Sequence, residues 1–152
     1  MTGIWQKLMK GWCWVIILFG AVLMGGAFAS ADGPSQYLLA ILGGRDPAMD
    51  APLRFAVGLM GAVTFGWGLT ALAVTSISHL LDASGARLLW RRVTAAIMVW
   101  YLVDSVISLA TGFGLNAISN TLLMGAFLVI ARGSGVLSTH SANSARQVSA
   151  RA

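Results

Sequence analysis

The sequence has one cysteine, two histidines, no glutamate and only five acids, all aspartate, among 152 residues. The lone Cys13 excludes an internal disulfide, a CxxC redox pair and any all-thiolate zinc or cluster site. The histidines are His79, at the end of an apolar run, and His140, near the C-terminus, so two imidazoles cannot face each other inside a bundle to hold a b-type haem. An axial ligand for a chlorophyll-type pigment is the sharper reading of His79; an interfacial histidine beside Arg91 and Arg92 is the plainer one. Paired carboxylates, a Ser-His-Asp set, metal-spaced clusters and a phosphate loop are all missing, and Gly25-Gly26 and Gly58-x-x-Gly61 read as packing glycines. The chain is therefore read as not an enzyme.

What is present points to lipid. Hydrophobic residues make up 57% of the chain and charged residues 10%, against about 45–50% and about 25% in a soluble domain. Mean hydropathy is +0.79. Too few charges remain to cover a water-facing surface. Four apolar runs, about 12–31, 53–77, 93–111 and 115–131, match the ~20 residues a helix needs to cross a ~30 Å core. None shows the alternation of a barrel strand, and open backbone cannot lie unpaired in hydrocarbon. The expected fold is an all-α integral membrane protein, a four-transmembrane-helix bundle over residues 1–132, followed by a polar basic cytoplasmic tail, 133–152. Lys7 and Lys10 before Trp12–Gly26, with Ala29-Ser30-Ala31 following, also form a signal-peptide pattern; the segment is read as an uncleaved signal anchor.

The net charge of +5 does not point to nucleic acid, because the basic residues sit singly or in pairs beside apolar runs. Lys7, Lys10, Arg87, Arg91, Arg92, Arg132, Arg146 and Arg151 fall on one side of the predicted membrane, and only Arg45 and Arg54 on the other. The positive-inside bias then sets both termini and the 79–92 loop in the cytoplasm of a bacterial inner-membrane protein. Arg87, Arg91, Arg92 and Arg132 form a basic face suited to anionic lipids or an acidic neighbour. The tail, rich in Ser, Ala and Arg, has no apolar face with which to fold alone. Trp5, Trp12, Trp14 and Trp90 are expected to anchor the cytoplasmic interface.

Between the first two runs, Gly33-Pro34 opens and Gly43-Gly44 closes a short apolar stretch, Gln36–Leu42, too short to span. It is expected to lie in the outer interface or to pack as a lid on the bundle. Gly112-Phe113-Gly114 is short enough to force runs three and four into an antiparallel hairpin.

Small residues recur at four-residue spacing as Ala21, Gly25 and Ala29, as Gly58, Ala62, Gly66 and Thr70, and as Ala117, Thr121 and Gly125. Such stripes let helices approach closely, either within the bundle or against a foreign transmembrane helix. Trp67 and Trp100, with Tyr101, fall mid-span. They fill gaps left by glycines or line a cleft for a lipid, quinone, carotenoid or chlorophyll-type pigment. The only ionisable residue well inside a span is Asp104, which shares a face with Ser108 and Thr111, while Asn116 and Asn120 approach across the hairpin. This polar seam is read as a protonated carboxyl hydrogen-bonded to Asn120 or Ser108 that fixes register, or as a proton or ion site.

In helix number, the short outer segment and an arginine opening the second span, the layout resembles the DoxX-like group of small bacterial four-helix membrane proteins. That likeness is of arrangement only and carries over no residue or activity. The expected function is a non-catalytic accessory subunit packing against other integral membrane subunits of a larger bacterial inner-membrane complex, for example an energy-transducing one. The alternative is a small oligomeric transporter or proton pathway working through Asp104.

Overall fold

A computed structural model describes residues 3–43 and 46–137. Five helices, Gly3–Gly25 (α1), Gly33–Gly43 (α2), Ala51–Ile77 (α3), Ala83–Ala110 (α4) and Gly114–Gly133 (α5), are joined by short links, and no strand occurs among the described residues. All but α2 are long and apolar enough to cross a membrane. Gly44, Arg45 and residues 138–152, including His140, Arg146 and Arg151, lie outside the described residues, so the expectations for Arg45 and most of the tail find no counterpart here.

The helix ends follow from local chemistry and correct two of the expected spans. The first helix is Gly3–Gly25 rather than 12–31. It starts early because Lys7 and Lys10 are good helix formers whose stems stay apolar. It stops at Gly25-Gly26, beyond which single turns link Gly26 N to Leu23 O and Phe28 N to Gly25 O. The third span also begins ten residues earlier than 93, at Ala83. Asp82 caps it by accepting from Gly85 N at 3.0 Å, so Arg87, Arg91 and Arg92 ride on a helix rather than a loop. The link from α3 shrinks to a single 3₁₀ turn, Ser78–Leu80, and two residues. Asp50 caps α3 through Leu53 N, with Pro52 in the first turn. Gly112, at φ +84°, makes the turn of the α4–α5 hairpin in a conformation that side chains disfavour.

The described helices are not packed evenly. α1 is the central column, meeting α3 most closely and also α5 and α2, while α4 packs chiefly on α5. The α1–α3 crossing is built on glycine. A Cβ on Gly61 would lie 2.7 Å from Leu23 C and 2.8 Å from Gly20 O, and one on Gly20 would lie 2.8 Å from Phe65 Cα. Gly68 meets Ile17 in the same way. The core that follows consists of Met9, Trp12, Cys13 and Ile16 of α1, Trp90 and Ile97 of α4, and Met124, Phe127, Ile130 and Ala131 of α5.

α2 lies across one end of the bundle as the lid envisaged from its length. Its fully buried Ser35 donates to Val22 O of α1 at 2.6 Å, and Gly43 takes the ring of Phe113 from the hairpin turn. Its other face carries Tyr37, 71% exposed.

Candidate functional site: the α4–α5 seam and the faces around it

α4 and α5 run antiparallel, and three side-chain pairs cross between them. Nearest the turn, Asn116 Nδ2 donates to Ser108 Oγ at 2.8 Å, and that hydroxyl donates to Asp104 O at 2.7 Å. Next, Asn120 Nδ2 donates to Asp104 Oδ2. A turn further on, Tyr101 and Thr121 share a hydrogen bond at 3.1 Å. The seam therefore contains Asp104, Ser108, Asn116 and Asn120 as expected. Tyr101 and Thr121, expected in a cleft and in a packing stripe, belong to it as well. Thr111 does not: its hydroxyl donates to Ile107 O at 2.8 Å and closes its own helix. Ser108 and Asn120 are buried and Asp104 is half-buried. Each such bond in a membrane helix pair contributes about 0.6 kcal/mol on average, so the seam fixes register more than it adds stability.

Beyond the seam the core is blocked by aromatic rings. Trp12 meets Trp67 edge-on at 5.8 Å between ring centroids and Phe127 at 5.3 Å, and Trp67 tilts against Trp100 at 5.2 Å. Trp12 Nε1 donates to Leu123 O at 3.0 Å, tying α1 to α5. Trp12 is thus a core residue, 6% exposed, and not the interfacial anchor expected. Trp90 is the same, at 1%. Trp5 packs against Gly133, and only Trp14, half exposed, turns clearly outward. Position near the end of an apolar run does not say which face of the helix is inside, so a tryptophan there can be core as readily as anchor. The indole N–H groups of Trp67 and Trp100 have no acceptor among the described residues.

The small-residue stripes divide in a way the sequence did not show. Of that stripe on α3 only Gly58 meets the rest of the bundle, at Ala27 in the link after α1, whereas Ala62, Gly66 and Thr70 are exposed and nothing lies near Gly66. The glycines that pack lie off the stripe, Gly61 and Gly68, spaced by seven. On α1 the packing residue is Gly20 rather than Ala21, which is exposed; Gly25 meets the turn at Ala31. On α5 Ala117 is buried and Gly125 is open. A spacing of four drifts round a helix of 3.6 residues per turn, so a stripe counted in fours leaves the contact face where one counted in sevens stays on it.

At the end opposite α2, the basic face expected from the sequence is present. Lys7, Arg91, Arg92 and Arg132 are exposed and Arg87 half-buried, and none has an acidic partner among the described residues. The acid nearest in sequence, Asp82, is occupied: the Ser84 hydroxyl and Gly85 N–H hold its carboxyl below the usual carboxylate range. At the α2 end Arg54 pairs with Asp32 at 2.6 Å and also donates through Nε to Met49 O at 3.0 Å. The guanidinium, helped by Gln36, pulls the Asp32 carboxyl down. This pair clips the chain between α1 and α2 to the start of α3. The signal for it was an arginine inside the first turn of an apolar span, which needs a counter-ion.

Among the described residues no three of His, Cys, Asp and Glu gather in a metal-holding group. A shallow apolar depression of about 570 Å³ lies where Leu42 and Gly43 of α2 meet Leu109, Ile118 and Thr121. Compared with known proteins, the chain matches no protein-family model, no curated protein and no solved structure, so the likeness of layout to the DoxX-like group has no family match behind it.

Proposed function

We propose that the protein is a non-catalytic accessory subunit of a larger bacterial inner-membrane complex, with both termini cytoplasmic, packing against the transmembrane helices of other subunits. The observation that carries this reading is the outward face of α3. Ala62, Gly66 and Thr70 form a shallow surface that the bundle does not use, and small residues are what permit close approach of helices where lipid gives apolar side chains no reason to cluster. The unpaired indole N–H groups of Trp67 and Trp100 support it, since an indole in hydrocarbon is stabilised by an acceptor from a neighbouring chain, quinone, pigment or lipid. The test is a photo-crosslinking residue at Gly66 in the native host, followed by gentle extraction and native mass measurement. A discrete adduct with another membrane protein supports the reading. Adducts with lipid alone, from a protein that extracts as a monomer, refute it.

The second reading, a small oligomeric transporter or proton pathway, is favoured by one observation: Asp104 Oδ1 receives no hydrogen bond from the described residues. Against it stands the aromatic block of Trp12, Trp67, Trp100 and Phe127, around which the core of described residues holds no acid, histidine, lysine or arginine to continue a path, only the Cys13 thiol.

A further inference from the structure

We infer that the outer groove of the α4–α5 hairpin binds one anionic phospholipid, its phosphate between Arg91 and Arg132 and an acyl chain running over Gly125 toward Tyr101 and Thr121. Register comes first. The three pairs that cross the hairpin, 108 with 116, 104 with 120 and 101 with 121, have numbers summing to 222–224. Arg91 and Arg132 sum to 223, so the same register sets them level at the far end, with Arg87 one turn beyond.

Sidedness comes next. At about 100° per residue, Arg87 and Arg91 lie about 40° and 80° round α4 from Tyr101, while Trp100, which faces α3, lies about 100° the other way. On α5, Arg132 and Gly125 lie within about 40° of Thr121, away from Leu123, whose carbonyl meets α1. The arginines and Gly125 therefore share the side of the hairpin that turns away from α1 and α3. Guanidinium groups level with each other across a hairpin repel, and no carboxylate of the described residues stands between them. A phosphate placed there turns that repulsion into two charge-assisted contacts.

The groove below fits a chain. Gly125 has open space where a side chain would stand, and exposed Leu102 flanks it. From Arg91 to Tyr101 is ten residues, about 15 Å, half of a ~30 Å hydrocarbon core and so the depth of one leaflet.

The purified full chain, in mild detergent, is titrated with phosphatidylglycerol, phosphatidylcholine or inorganic phosphate, reading bound lipid by native mass measurement and stability by the thermal midpoint. Phosphatidylglycerol alone should bind with one-to-one saturation and raise the midpoint. In the double variant Arg91→Gln, Arg132→Gln its affinity should fall about twenty-fivefold, at about a factor of five per arginine. The control Lys7→Gln, Arg92→Gln removes equal charge from the same end and should stay within about twofold of the parent. Gly125→Leu, on an open face, should weaken the lipid with every charge in place. Equal binding of phosphatidylcholine, equal stabilisation by inorganic phosphate, or equal losses in the two double variants would each overturn the assignment.

Discussion

Replacing Gly61 by alanine tests the α1–α3 crossing most directly. The new methyl carbon would lie 2.7 Å from Leu23 C and 2.8 Å from Gly20 O, backbone atoms that cannot swing aside. Carbon atoms prefer about 3.5–4.0 Å, so the two axes must part by close to ~1 Å, loosening the contacts of Gly20 and Gly68 along the same seam. Overpacking of this kind costs typically about 1–3 kcal/mol. Gly66→Ala is the matched control: it makes the same chemical change on the same helix where nothing lies within 4 Å. Both variants gain equally from restricting the unfolded chain, so that gain cancels in the comparison. Unfolding by sodium dodecyl sulfate in mixed micelles, followed by tryptophan fluorescence, should place Gly61→Ala about 2 kcal/mol below Gly66→Ala. Equal stabilities would mean that α1 and α3 do not cross where described. A larger loss at Gly66 would mean that the face assigned to the outside is buried.

Asp104→Asn should keep the bond to Asn120, since an amide can accept, and leave the hairpin folded, whereas Asp104→Leu should cost about 1–2 kcal/mol by the same assay. If Asp104→Asn folds normally yet abolishes a measured proton or solute flux, the transporter reading replaces the accessory one. Arg54 depresses the Asp32 carboxyl in the folded state, so the stability from their pair is present above the ordinary carboxylate range near pH 4 and is lost as pH falls through the lower folded value. Hydrogen exchange around residues 26–36 should rise in that acid window, and Arg54→Gln should raise it at neutral pH and remove the pH response. An impermeant thiol reagent applied outside the cell should label Tyr37→Cys and spare Ala83→Cys, both exposed and at opposite ends; the reverse pattern would invert the orientation. Ser35→Ala should free α2 at a cost of about 1 kcal/mol, seen as faster proteolysis between α1 and α3.

Helix number, the tight hairpin and the lid were legible because hydropathy, glycine and proline report the chain's own local constraints. Asp104 and Asn120 were legible because a single polar group in an apolar run has few places to go. The facing of each helix was not. Trp12 and Trp90 sit where the sequence suggests anchors yet are core, and the spacing of Gly58, Ala62, Gly66 and Thr70 does not say which of them pack within the bundle; only Gly58 does. In water the buried face of a helix is announced by its apolar residues; here both faces are apolar, so that cue is missing. Helix extent suffered similarly, since Arg87, Arg91 and Arg92 marked the end of the apolar run but not of the α4 hydrogen bonds.

The central place of α1 bears on how the protein is made. α1 is made before α2, α3 and α5, which are arranged around it, so on the membrane-bundle reading it waits with its glycine seam and the Trp12 indole uncovered until those helices arrive. α3 can dock as soon as it is made, but Trp12 gains its acceptor, Leu123 O, only when α5 follows. During synthesis the nascent chain therefore presents an incomplete surface that an insertase or a neighbouring subunit could shield, and a chain truncated before α5 would keep that need permanently.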